Sequence, residues 1–342
     1  MQISIISTVC YKNKKHFIYK RALELIEYFK NTNYEFIISD ASKNKILKSN
    51  YPNIKIIHTK YQNPFSPGIA RNQAIIHSSK KYILFYDIDL LNDDNFFIKL
   101  SNKVNQELET NIKKFILIPF VYLTKTGTQE FETNKNLSIL KNSYLEGSRK
   151  LIENIGLNGV IMIINKEYLK NIGLFDINFQ GHGGEDLELV HRLIANNPIA
   201  KKPNDYYINE TSNIVANLKG FRKYMAYYTL PLFFEDLILI HRWHDRPLFN
   251  KFYFKKSTNQ DLLIKKMKEY DYKNNNVWKD ERELPEFITY LKQLCKKYNI
   301  ENSIGLYSYD KKYNKYSLKS KLRKLITRPK DFFKDIKLRK TK

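Results

Sequence analysis

Cysteine is scarce: Cys10 and Cys295 are the only two in 342 residues. They lie far apart and without metal-ligand spacing. That excludes a disulfide framework and a zinc module, and it fits a reducing compartment. Long apolar runs are missing as well. Val160 to Ile164 and Leu237 to Ile240 fall far short of the roughly 18 uncharged residues of a membrane-spanning helix. Met1 to Cys10 is apolar but follows no basic segment, so it reads as a first strand and not as a signal peptide. Three common catalytic or nucleotide-binding patterns are also missing: G-x-x-x-x-G-K-[ST], G-x-S-x-G and H-E-x-x-H. There is no internal repeat.

Acidic residues are too few to balance the basic ones. The chain has 59 Lys and Arg against 35 Asp and Glu, a formal net charge of +24. Such an excess calls for an anionic partner: nucleic acid, lipid headgroups or phosphorylated substrates. From Lys311 to Lys342 there are 14 basic and 2 acidic residues, so half of the excess (+12) lies in the last 32. In 317–342, Leu318, Leu322, Leu325, Ile326, Phe332, Phe333 and Ile336 alternate with Lys and Arg. That segment is expected to be a basic amphipathic tail that lies on an anionic membrane surface; a solvated lysine-rich extension is the alternative. The expected location is cytoplasmic, with peripheral attachment to the inner face of the membrane.

What is present is enough for a core, since 42% of residues are hydrophobic. Strands are expected at Ile3–Ser7, Tyr34–Asp40, Ile54–His58, Tyr82–Tyr86, Phe115–Tyr122, Gly159–Ile164 and Leu237–Ile240. Helices are expected at Lys20–Phe29, Ile69–His77, Asp93–Glu109, Lys166–Asn171, Glu185–Ala195, Leu262–Tyr270 and Leu284–Tyr298. Asp245–Gln260 reads as a loop, 123–154 as loop plus one helix, and 199–236 resists parsing. The alternation predicts an α/β fold with a mainly parallel sheet. Ligands in such sheets sit at the carboxyl ends of the strands, where Asp40, Asp87 and Asp89 would lie. The expected division is a main domain at 1–265, a helical extension and linker at 266–316, and the tail at 317–342.

Four groups of residues are able to carry chemistry. Asp87-Ile88-Asp89 is a pair of carboxylates just after a strand, suited to Mn²⁺ or Mg²⁺ shared with phosphate oxygens, or simply a solvated strand end. His241 and His244 flank Arg242-Trp243 and suit a metal, or hydrogen-bonded structural roles. Asp40 at a strand end, and Gly68, Arg71 and Asn72 at a helix start, suit a nucleotide or phosphate, or an ordinary turn and cap. The fourth is Gly181-His182-Gly183-Gly184-Glu185-Asp186. Its glycines permit close approach to a ligand, and its two acids suit acid–base work or a plain helix start.

Taken in order, these pieces resemble the GT-A fold glycosyltransferases. Ser7-Thr8, Asp40, Gly68-x-x-Arg71-Asn72 and the D-x-D are similar to bacterial family 2 enzymes. Asn158-Gly159-Val160, Ile172-Gly173-Leu174-Phe175, the glycine–acid stretch and His241-Arg242-Trp243-His244 are similar to the β-1,4-galactosyltransferase and chondroitin-polymerase-like group. The resemblance spans about residues 1–265. His182 departs from it by standing where that group usually has tryptophan. Asn158 stands for a glycine, and Ala41 follows Asp40 where many members have a second acid.

The resemblance implies an inverting, metal-dependent transferase with a nucleotide-binding, Rossmann-like sheet. It would move a hexose or N-acetylhexosamine, Gal or GalNAc favoured, from a UDP-sugar to a growing capsule or lipopolysaccharide glycan, free or lipid-linked. UDP-GlcNAc, UDP-Glc and UDP-hexuronate are the alternatives. It implies Asp89, Asp87, His244 and His241 on Mn²⁺ or Mg²⁺, and Asp186 as the base with Glu185 on the sugar or acceptor. Thr8, Asp40, Gly68, Arg71, Asn72 and Gly159 would serve the donor. His182, Gly183, Gly184 and Trp243 would serve the acceptor or sugar. The loop from Arg242 to Gln260 would close as a lid. A nucleic-acid-binding protein is a rival suggested by the charge and tyrosines, but no nucleic-acid motif is present; no nucleic-acid partner is expected. A GT-A domain without activity, serving as a partner subunit, is a further rival, opposed by the intact acid and histidine set.

Overall fold

The computed structural model describes residues 2–157, 159, 161–245, 251–275 and 278–310, with 321, 322, 325, 326, 332 and 333. Most of the expected tail, part of the expected lid (246–250), Asn158 and Val160 lie outside the described residues.

The first half builds β1 (Ile3–Val9), α1 (Phe17–Phe29), β2 (Glu35–Asp40), β3 (Ile54–His58), α2 (Pro67–His77), β4 (Tyr82–Phe85), β5 (Leu90–Leu91) and α3 (Phe96–Glu107). There follow β6 (Phe115–Leu117), β7 (Phe120–Leu123), α4 (Lys125–Asn134), α5 (Leu137–Leu145), β8 (Ile152–Gly156), β9 (Met162–Asn165) and α6 (Lys166–Asn171). The chain then forms α7 (Glu185–Asn196), α8 (Gly220–Phe234), β10 (Leu239–His241), α9 (Lys251–Phe254), α10 (Lys256–Lys273), α11 (Phe287–Lys297) and α12 (Ile304–Tyr307).

Six strands form the main sheet in the order β3-β2-β1-β4-β9-β6. β1 to β4 run parallel to one another, and β9 is antiparallel to both β4 and β6. The sequence-based expectation of a mainly parallel α/β sheet therefore holds. Alternation along β1 sends Ile3, Ile5 and Val9 to one face and Ile6 to the other. The first face packs on α1 and α3 through Ala22, Leu25, Phe29, Phe96 and Leu100. The second packs on α2, α7 and α10 through Ile75, Val190, Leu193, Leu263 and Met267.

A second sheet, β5-β10-β7-β8, sits against α5, α8 and α11 over its own core. The expected single strand Phe115–Tyr122 is in fact two. It breaks at Pro119, which has no N–H for a ladder. β6 pairs with β9 in the main sheet, whereas β7 pairs with β8 and β10 in the second. The polar stretch before β8 holds two helices, not one, each with a side-chain N-cap, Thr124 and Asn136.

The expected loop Asp245–Gln260 is corrected too. From Lys251 onward it is helical, and α10 runs unbroken from Lys256 to Lys273. Its buried Leu263 and Met267, at i and i+4, dock on α7. The second part of the stretch 199–236 is α8, whose first residue Gly220 has φ +56 and leaves no room for a Cβ against Ile208. Among the described residues no helix is long and apolar enough to cross a membrane.

Candidate active site

Three loops meet where β1, β2 and β4 end. Directly after β4, Asp87 and Asp89 diverge. Asp89 turns toward β10: its Oδ2 lies 3.3 Å from His241 Nε2 and 3.4 Å from His244 Nε2. One ligand atom from each of Asp89, His241 and His244 lies within 4.8 Å of the other two. One carboxylate and two imidazoles are a donor set suited to Mn²⁺-like ions. β10 brings this about by pairing antiparallel with β5, His241 opposite Leu90. His244 Nδ1 lies 3.2 Å from the Asp245 carbonyl. A proton on Nδ1 for that bond leaves the Nε2 lone pair directed at the site. Burial acts to raise the Asp89 carboxyl, but the charges of His241, His244 and Arg21 overcome it and hold the group below its usual range.

Asp87 is not part of this cluster. Its Oδ1 accepts from Arg71 Nη2 at 3.2 Å. Arg71 Nη1 donates to Glu185 Oε1 at 2.9 Å, with both side chains buried. Arg71 thereby bridges the D-x-D to the glycine–acid turn. Burial works against its charge, and the carboxylates of Asp87, Glu185 and Asp186 more than compensate. Glu185 is raised above the ordinary carboxyl range by burial and by the charge of Asp186, with Arg71 opposing. Its Oε2 is buried without a hydrogen bond.

The glycine turn needs its glycines. Gly181, Gly183 and Gly184 have φ of +74, +83 and +105, where L side chains are strained. A Cβ on Gly184 would sit 2.6 Å from the Phe179 ring, while one on Gly183 would meet nothing within 4 Å. The turn is tied down by backbone bonds from Gly181 to Phe65 and from His182 to Phe252, and by Asn259 Nδ2 on the Gln180 carbonyl. α7 then starts with Glu185 turned inward and buried, Asp186 partly exposed.

A cavity of about 390 Å³ opens beside the histidines. His241, His244 and His182 line it, with Tyr122, Arg222 and Lys256. Burial lowers the Arg222 guanidinium, and the Asp186 carboxylate acts against that.

The sequence-predicted residues thus fall into three groups. His241, His244 and His182 line the cavity, and Asp89 lies against the first two. Glu185, expected on the sugar or acceptor, is turned into the protein and paired with Arg71. Gly68, Arg71 and Asn72, expected on the donor, lie against the segment leading into α7: Arg71 pairs with Glu185, and the other two meet Phe175. Asn72 Nδ2 donates to the Phe175 carbonyl and its Oδ1 accepts from the Phe175 N–H, both at 2.9 Å. A Cβ on Gly68 would press to 3.2 Å from Phe175.

Asp40 is fully enclosed, its carboxylate taken by Tyr11 Oη at 2.7 Å and the Ser42 N–H at 2.9 Å. Thr8 stands beside it at the end of β1, paired in register with Ser39. Gly159 lies over the Phe120 ring. Trp243 faces α4, not the cavity: its ring centroid lies 6.0 Å from Lys125 Nζ, its backbone N–H donates to Thr128 Oγ1 at 2.9 Å, and the residue is 41% exposed. Sequence reasoning missed Arg21, Arg222 and Tyr122. Arg222 lay in the unparsed aromatic stretch, and no local motif marks the other two.

A parallel-rich sheet with acids at its carboxyl edge, an Asp–His₂ cluster and a glycine–acid helix start across a cavity defines an enzyme of the GT-A glycosyltransferase class. The chain belongs to the glycosyltransferase-like family 2, whose model matches residues 4–269. Among solved structures it is similar to S. aureus TarS 1–349, at 17% identity over 57% of this chain and 56% of that one, with a TM-score of 0.38. The same protein in complex with UDP gives 18% identity, 57% and 55% coverage and a TM-score of 0.39. With UDP-GlcNAc the values are 16%, 57%, 54% and 0.36. The chain spans little more than half the length of those TarS chains. No curated protein sequence matches it.

Proposed function

We propose that the protein is an inverting, metal-dependent transferase that moves a hexose or N-acetylhexosamine from a UDP-sugar to a surface-glycan acceptor. The observation that carries this reading is the Asp89–His241–His244 cluster opening on the cavity, beside a turn that ends in Asp186. Asp89, His241 and His244 would hold Mn²⁺ or Mg²⁺. The ion, when bound, supplies Lewis-acid stabilisation of the charge that develops on the leaving diphosphate.

The chain's own residues do the rest. Asp186 takes the proton of the acceptor hydroxyl as its oxygen attacks the anomeric carbon. The bond from that carbon to the phosphate oxygen breaks, and UDP leaves with the electron pair. Thr8 and the ends of β1 and β2, where the enclosed Asp40 braces Tyr11 and Ser42, receive the uridine. His182 and the cavity around Arg222 receive sugar and acceptor. Gal and GalNAc are the favoured donor sugars, with GlcNAc, Glc and hexuronate behind them. Segment 317–342 attaches the enzyme to an anionic membrane surface; equal co-sedimentation with acidic liposomes after its deletion would contradict that.

The test is a panel of UDP-sugars assayed for transfer with the wild-type and Asp186→Asn proteins, with Mn²⁺ and with EDTA. Transfer that survives both the substitution and EDTA would refute the reading.

A further inference from the structure

One face of α1 runs along the histidine segment. Phe17, Arg21 and Glu24 stand at i, i+4 and i+7, so they share a face. Each meets a different residue of that segment. The Phe17 ring stacks on His244, centroids 5.0 Å apart and planes within 18°. Arg21 Nη2 donates to the Trp243 carbonyl at 2.9 Å. Glu24 Oε2 accepts from Arg242 Nη1 at 2.6 Å. Arg21 also reaches the other arm of the cluster: its Nη1, buried and without a hydrogen bond, lies 3.6 Å from Asp89 Oδ2.

The support answers a physical need. His241 is the last residue of β10 and is fixed by pairing with Leu90 and Tyr122. The chain from Arg242 to Asp245 has no regular structure. His244 is therefore held by no ladder, and ordering each such residue costs about 1–2 kcal/mol of backbone entropy. α1 fixes the three residues that lead from β10 to the second imidazole, one contact each.

We propose that the Phe17–Arg21–Glu24 face of α1 is the outer support of the metal-ligand segment. Arg21 is its central positioning residue, tying Asp89 to the backbone between the two histidines. The inference rests on the metal reading above and adds residues outside its proposed ligand, donor and acceptor sets. Outer supports of this kind change metal affinity by about 10–100-fold when removed. Arg21 is also a cation near the ion's place, and this gives the opposite sign. If it acted mainly by repulsion, its loss would tighten metal binding.

The experiment is Mn²⁺ titration followed by electron paramagnetic resonance, on the full chain without donor. Four proteins are compared: wild type, His244→Ala, Phe17→Leu and Arg21→Gln, each with its thermal midpoint. His244→Ala tests the metal reading alone. If it binds Mn²⁺ as wild type does, that reading fails and the support falls with it. If His244→Ala loses binding, Phe17→Leu and Arg21→Gln are each expected to bind about tenfold more weakly. Wild-type affinity in both would overturn the support, and tighter binding by Arg21→Gln would overturn Arg21 as a positioning residue. Should Arg21→Gln fail to fold, Phe17→Leu decides, because its ring is only half-buried and its loss leaves the charge unchanged.

Discussion

Arg71 Nη1 lies 2.9 Å from Glu185 Oε1, and this buried ion pair joins two motifs 114 residues apart. The other arm of the guanidinium holds Asp87. The D-x-D and the glycine–acid turn are therefore set relative to each other by one side chain. Glu185 is committed to that link, while its neighbour Asp186 is partly exposed and its charge is felt by Arg222, which lines the cavity.

Removing Arg71 strands Glu185 in the interior. Arg71→Ala is expected to destabilise the fold by about 3–5 kcal/mol, the usual cost of breaking a buried pair from one side. Glu185→Gln keeps an acceptor oxygen for the guanidinium and should cost much less. Urea unfolding of both proteins checks the order; a larger loss for Glu185→Gln would contradict it.

Asp186→Asn keeps size and removes the proposed proton acceptor. Its kcat should fall by about 10²–10⁴-fold, while UDP affinity by calorimetry stays near wild type. An unchanged kcat would move the base elsewhere.

The two neighbouring glycines should behave differently. Gly183→Ala has open space around its Cβ and meets only backbone strain, of order 1–2 kcal/mol. Gly184→Ala adds a 2.6 Å approach to Phe179, so it should lower the thermal midpoint further and distort the start of α7. Equal midpoints would show that the Phe179 ring yields.

Glu35 gives the fold an acid-side pH dependence. Burial alone would raise its carboxyl, but hydrogen bonds from Lys55, Ser4 and Ser79 win and bring it down to about 2. A depressed folded pKa contributes stability that is complete above the unfolded value of about 4.3 and is lost as pH falls toward 2. Unfolding free energy should therefore drop between pH 5 and pH 2 (about the interval between the two values), and Glu35→Gln should flatten that drop.

Much of the architecture was legible because it is written locally. β1 to β4 are short apolar runs closed by turns or acids, and α2, α6 and α7 begin at marked turns or caps. What stayed hidden is long-range. Nothing near Phe115–Tyr122 says that Pro119 passes the chain from one sheet to another. The sequence marks Asp87, Asp89, His241 and His244 as one set; only the fold shows that Asp89 lies with the two histidines while Arg71 reaches Asp87. Gly68, Arg71 and Asn72 carry a motif whose ligand is another part of the chain, Phe175 and Glu185. Arg21 has no motif at all; its role comes from the turn of α1 against β10.

Calorimetric titration of UDP, with wild type and His244→Ala, each in Mn²⁺ and in EDTA, reads the hold of the Asp–His₂ cluster on the diphosphate. If Asp89, His241 and His244 hold a metal on the diphosphate, wild type should lose at least about tenfold in affinity on chelation, some 1.4 kcal/mol. His244→Ala should bind weakly in both conditions. UDP bound equally well by wild type with Mn²⁺ and with EDTA would contradict the account.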